Sequence, residues 1–233
     1  SLMTTAALAL AVFLAVPENQ ASDPAAPAGL LDSYRRLFRR IADLYRNTRV
    51  TFFFLLASAV YRDGLAGVFA FGGILAGAVF GLSDTQVLLF AMASNLVAGL
   101  GVFLSGFLDD RIGPKRVIVG SLLGLVLAGL LLFTLHDRGP VVFWVAGLAM
   151  TLFVGPAQAS SRSFLGHLAP EGAEGEIFGL YATTGRAVSF LTPAAFALLV
   201  GVFGGAWGGI LGIVAVLGTG LVLLLPLRAE FVR

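Results

Sequence analysis

The eleven residues GFLDDRIGPKR, Gly106 to Arg116, lie between two long apolar runs, Thr85–Leu108 and Val117–Leu135. They carry five charges: Asp109, Asp110, Arg111, Lys115 and Arg116. An ionised side chain at the centre of a bilayer costs ~2.5–3.5 kcal/mol even on the mild insertion scale. A short charged segment between apolar runs of spanning length therefore reads as a hairpin joining two transmembrane helices. The whole chain agrees. Charged residues make up 12 % of it, against roughly 25 % in soluble domains. Hydrophobic residues make up 58 %, and the mean hydropathy is +0.94.

The same residues exclude several function classes. The chain has no Cys, so it has no disulfide, thiol nucleophile or Cys-based metal site. Its two His, His136 and His167, lie at the ends of apolar runs, which argues against a buried metal site. The glycines sit inside apolar spans, and the phosphate-binding pattern GxxxxGK[ST] is absent. Ser160, Ser161 and Ser163 lack His and Asp neighbours arranged for a triad. No enzyme activity, metal or cofactor is expected. The net charge of +2 does not point to nucleic acid.

Leu2–Val16 is apolar but short of the ~20 residues that a full span needs. It reads as the end of a longer helix whose start lies upstream, with residues 1–16 forming a truncated transmembrane end. Residues 17–49 read as a cytoplasmic linker. Its Pro/Ala-rich start leads into a segment with Leu30, Tyr34, Leu37, Phe38, Ile41, Leu44 and Tyr45 at helical spacing. Arg35, Arg36, Arg39, Arg40 and Arg46 occupy its other faces. This basic amphipathic helix suits the headgroup region of an anionic leaflet; an ordinary linker helix packed on the protein is the alternative.

Residues 50–233 read as a six-helix transmembrane bundle. The apolar runs are Val50–Leu82, Thr85–Leu108, Val117–Leu135, Val141–Leu165, Ile177–Phe203 and Trp207–Leu227. As one helix the first run would be ~50 Å long, and Gly72 and Gly73 are candidate bending points. Ser83 with Gln86 predicts a capping box at the start of the second helix. Gly139-Pro140 and Pro170 are turn and helix-start signals. Lys and Arg are dense in the linker, the Asp109 segment and the C-terminal tail, and sparse in the alternate turns. That places the linker, the Asp109 segment, the Glu171 loop and the C-terminus in the cytoplasm. Trp144 and Trp207 fall near the opposite surface.

Polar residues within the spans are the candidate site. Arg62 lies twelve residues after Val50, ~18 Å along the first helix, with Tyr61 and Asp63 beside it. Adjacent residues on a helix point ~100° apart, so Arg62 and Asp63 each need another partner. Arg186 and Asn95 reach similar depth from their own helix ends, and Gln158 lies somewhat nearer the cytoplasm. Two Arg and one Asp at one depth suit a small polar or carboxylate-bearing solute, with Asp63 available to an ammonium group or a coupling proton. A structural ion pair or a stabilised bend is the alternative for Arg62 and Asp63, and helix–helix adhesion for a lone Asn.

The spacing Gly-x-x-x-Asp-Arg-x-Gly-x-Lys-Arg resembles the loop signature of the major facilitator superfamily, through Gly106, Asp110, Arg111, Gly113, Lys115 and Arg116. Pro114 stands where that motif usually has a basic residue. YRDGLAGVFAFGG, FVGPAQASSRS and FGLYATTGRAVSFLTP resemble the vacuole-effluxer branch, related to autophagy-linked amino-acid exporters. The resemblance implies the C-terminal half of a twelve-helix secondary transporter, with an N-terminal half absent from this chain. It implies a multi-pass location in a bacterial inner membrane, with the lipid bilayer as partner and amino acids as possible substrates. It also implies a gating role for the Asp110 segment against the other half. A non-transporting scaffold or receptor-like module on the same fold is the alternative.

Overall fold

The computed structural model describes residues 49–169 and 172–227. The expected helix end at 2–16, the linker helix before Arg49, Pro170, Glu171 and the tail from Arg228 lie outside the described residues. Among the described residues there are seven helices: α1 (Arg49–Ala78), α2 (Asp84–Ile112), α3 (Pro114–Thr134), α4 (Pro140–Leu168), α5 (Glu174–Ala187), α6 (Leu191–Phe203) and α7 (Gly208–Leu224). Five segments are long and apolar enough to cross a membrane: α1, α2, α3, α4, and α5 with α6 taken together. α7 is a shorter apolar helix of 17 residues. This is an all-α, multi-pass membrane bundle.

Each start and stop has a local cause. Ser83 Oγ accepts from the Gln86 backbone amide while the Ser83 backbone amide donates to Gln86 Oε1, so α2 begins with both halves of a capping box. Pro114 and Pro140 open α3 and α4, where a missing N–H costs nothing. α1 stops at Ala78, and the chain turns at Gly81 with φ +68°. The helix continues through Gly72 and Gly73, so neither interrupts it.

Two expectations change in detail. The charged segment is not a loop: α2 runs to Ile112 and α3 starts at Pro114, leaving Gly113 alone between them. Gly113 adopts φ 84°, ψ 147°, a conformation open essentially to glycine. Its amide donates to Asp109 O at 3.0 Å and its carbonyl accepts from Arg116. Gly113→Ala should lower stability by about 1–3 kcal/mol, read as a lower unfolding midpoint in detergent. An unchanged midpoint would mean that the hairpin reshapes without strain.

The fifth apolar run is not one helix. It breaks at Val188–Phe190 into α5 and α6. Pro193 is the physical reason. It has no N–H for the Ser189 carbonyl, and its ring would collide with that carbonyl in a continuous helix. Pro is tolerated in a first turn, which is where the break puts it.

Small residues set the packing. α4 lies against α3 and α2, while α7 lies against α1, α6 and α3. A Cβ on Gly220 would stand 2.5 Å from Tyr61 Cβ, and one on Gly212 2.7 Å from the Ala195 backbone. Glycine at these points lets α7 approach α1 and α6 backbone to backbone. At one end of the bundle Trp207 stacks on His136 at 4.5 Å and packs against Phe133 and Phe203. Trp144 meets Phe90 edge-on at 5.4 Å.

Candidate functional site

A cavity of about 430 Å³ opens between α1, α4 and α5. Its walls hold Arg62 and Asp63 from α1, Gln158 and Arg162 from α4, and Tyr181 and Arg186 from α5. Four of the six residues expected at the site thus converge: Arg62, Asp63, Gln158 and Arg186. The other two do not line it. Tyr61 is fully buried and its hydroxyl bonds Ser161 Oγ at 2.6 Å. Asn95 lines a separate, apolar cavity of about 130 Å³, and its side chain donates to Ala91 O of its own helix at 2.8 Å.

Arg62 and Asp63 have separate partners, as their ~100° angular offset requires. The Arg62 guanidinium donates to Tyr181 O at 2.8 Å and lies 3.8 Å above the centre of the Tyr181 ring. That combines a charge-assisted hydrogen bond with a cation–π contact. Gly185, one turn beyond Tyr181, makes room: a Cβ there would stand 3.0 Å from Arg62 Nη1. Asp63, 7 % exposed, accepts the Thr192 amide at 2.6 Å through Oδ2. Thr192 is in the first turn of α6, whose amides have no helical partner. The α1 carboxylate therefore caps a helix that begins at the Pro193 break, where helix polarity favours negative charge.

Arg162 was not among the sequence candidates. It lies six residues before the end of α4, close to a charged turn, and there it resembles an ordinary helix-end cation. The available signal was its spacing from Gln158. Positions four apart share a helix face, so a mid-helix Gln carries Arg162 into the same cavity.

The charged hairpin does not line this cavity and is tied to its neighbours. Ser160 Oγ of α4 donates to Asp109 Oδ1 at 2.6 Å. Lys115 Nζ reaches the carbonyls of Leu225 and Leu227 beyond α7. Asp110, Arg111 and Arg116 are exposed. Of the two adjacent carboxylates, Asp109 serves this bundle and Asp110 faces outward.

The family model described as "Vacuole effluxer Atg22 like" matches residues 2–231. YxiO of Bacillus subtilis (strain 168), named an uncharacterized MFS-type transporter, is 24 % identical over 199 residues. That alignment covers 85 % of this chain and 45 % of YxiO. Autophagy-related protein 22-2 of Aspergillus clavatus is 26 % identical over 178 residues, 71 % of this chain and 29 % of its own length. Autophagy-related protein 22-1 of the same organism is 25 % identical, over 76 % and 31 % respectively. The chain spans less than half the length of these relatives.

Proposed function

Since the chain belongs to the family of vacuole effluxer Atg22-like proteins, we propose that it is the C-terminal, six-span half of a secondary transporter. The transported solute is small, polar and carboxylate-bearing, with amino acids the class suggested by resemblance. The observation that carries this reading is the cavity: three guanidiniums, one carboxylate and one glutamine between helices of an apolar bundle. Charges in such a place are costly, and they mark substrate paths more often than structural positions. Transport would proceed by alternating access about this site, near the middle of the membrane.

A matching half supplies the other side of the cavity in this reading. Supporting it, Ser94, Gly101 and Ser105 are the buried residues of α2, and Thr192 is that of α6. Leu88, Met92, Leu96, Leu100 and Phe103 of α2 are all exposed. Lipid covers part of such a surface, and a second bundle would cover the rest. Asp110, facing outward from the hairpin, would then contact that bundle as part of a gate. The orientation follows the charge distribution, with the Gly113 hairpin cytoplasmic and the Trp207 cluster at the opposite surface.

Uptake of labelled carboxylate-bearing solutes into liposomes tests the proposal. Uptake is expected when the chain is reconstituted with a matching half, and not from the chain alone. Arg62→Ala and Arg186→Ala should each lower the rate at least tenfold. Wild-type rates in both variants would remove the cavity assignment.

A further inference from the structure

Resting on the cavity as the solute site, we infer that it selects solutes bearing two negative charges, held by Arg162 and Arg186. The four charged groups on its walls divide into two kinds. Arg62 and Asp63 are committed: one guanidinium nitrogen is bound to Tyr181 O, and one carboxylate oxygen to the Thr192 amide. They hold α1 to α5 and α6. Arg162 and Arg186 are of the other kind. Both are exposed and line the cavity from different helices, α4 and α5. Among the described residues neither side chain has a hydrogen-bond or ion-pair partner.

The walls that this chain contributes carry three positive charges against one negative, two in excess. A guanidinium presents a planar fork of donors that matches a carboxylate or phosphate edge. Two such forks on two helices of one cavity call for two anionic groups, or one doubly charged group. A zwitterion of zero net charge answers one fork and leaves the other unpaired. Its ammonium also needs an acceptor, and Asp63, nine-tenths buried, has one of its two carboxylate oxygens taken by Thr192. Gln158, four residues before Arg162 on the same face, adds an uncharged donor and acceptor for the body of the solute.

Isothermal titration of the detergent-purified chain with succinate, inorganic phosphate and L-alanine tests this class. Succinate or phosphate should bind at least tenfold more tightly than L-alanine, and the tighter of the two identifies carboxylate or phosphate as the anion. Arg162→Gln and Arg186→Gln should each weaken the preferred anion at least tenfold, with unfolding midpoints at the wild-type value. Arg162→Lys, which keeps the charge without the fork, should fall between. L-alanine binding as tightly as the anions, with dependence on Arg62, would overturn the charge class and leave the cavity as the solute site. Unchanged succinate and phosphate affinity in the Arg162→Gln/Arg186→Gln double variant would overturn the assignment of these two residues. No binding of any probe, together with uptake indifferent to Arg62→Ala and Arg186→Ala, would overturn the site itself.

Discussion

Gly101→Val should detach α2 from the bundle. A Cβ at residue 101 would stand 2.3 Å from Leu152 O and 2.9 Å from Pro156 Cδ. Real Cβ atoms do not approach a backbone oxygen so closely, and the carbonyl cannot swing aside as a side chain would. That carbonyl is bare because residue 156 is proline, which has no N–H to return to it. Glycine lets α2 settle onto it. The reciprocal contact is as tight: a Cβ on Gly155 would stand 2.4 Å from Ala98 O. Most of the packing of α2 is this seam with α4, along which Ser94, Gly101 and Ser105 are its buried residues. Overpacking of this kind costs about 3 kcal/mol when the neighbour is backbone, the upper end of the usual range. Gly99→Ala is the control, because nothing lies within 4 Å of its Cβ. The chain has no native cysteine, so spin labels at single introduced cysteines on α2 and α4 report the separation cleanly. Gly101→Val should lengthen that distance and lower the unfolding midpoint. A midpoint equal to that of Gly99→Ala would refute the close-packed seam.

Sequence and structure agree where hydrophobicity and covalent geometry decide. Apolar length located the spans, Ser83 with Gln86 located a helix start, and Gly139-Pro140 located the opening of α4. These are short-range effects, complete within one or two turns. The charged hairpin was legible as a turn between helices, but not as a single residue. Charge excludes a segment from hydrocarbon without preventing it from being helical, so Asp109–Arg111 finish α2 and Lys115 and Arg116 begin α3. The split of the fifth run had a visible signal in Pro193. Its apolar neighbours masked it, because hydropathy measures transfer and ignores the missing N–H.

The candidate site was legible to a similar degree. Depth along a helix identified Arg62, Asp63, Gln158 and Arg186, which converge on one cavity. Depth says nothing about azimuth, and azimuth is where Asn95 and Tyr61 depart. Asn95 points to another cavity, and Tyr61 is turned into the core against Ser161. Arg162 was hidden for the opposite reason: its depth is unremarkable and only its facing is informative. The bond from Thr192 to Asp63 joins residues 129 apart in sequence, and no local pattern encodes it.

Asp63→Ala should be the most damaging single substitution at the cavity, and Asp63→Asn a much milder one. The carboxylate accepts the Thr192 amide at 2.6 Å from a position 7 % exposed. Alanine removes the acceptor and leaves an N–H unpaired at the start of a helix in an apolar bundle. Hydrogen bonds to charged groups contribute about 1.5–3 kcal/mol, and an orphaned buried donor keeps its desolvation cost. A loss of about 3 kcal/mol is therefore expected for Asp63→Ala. Asparagine keeps a side-chain oxygen at nearly the same place and loses the favourable charge at the α6 N-terminus, an effect of about 1 kcal/mol. The same pair of variants separates two roles for Asp63. As a cap, it holds the broken helix so that Arg186 stays on the cavity wall, and Asp63→Asn should transport at a rate within a few-fold of wild type. As an acceptor for an ammonium group or a coupling proton, its charge is indispensable, and Asp63→Asn should abolish uptake with stability intact. Chemical unfolding and liposome uptake on both variants decide between them. The geometry favours the cap: Oδ2 already holds the Thr192 amide, and α6 begins where Pro193 ended α5.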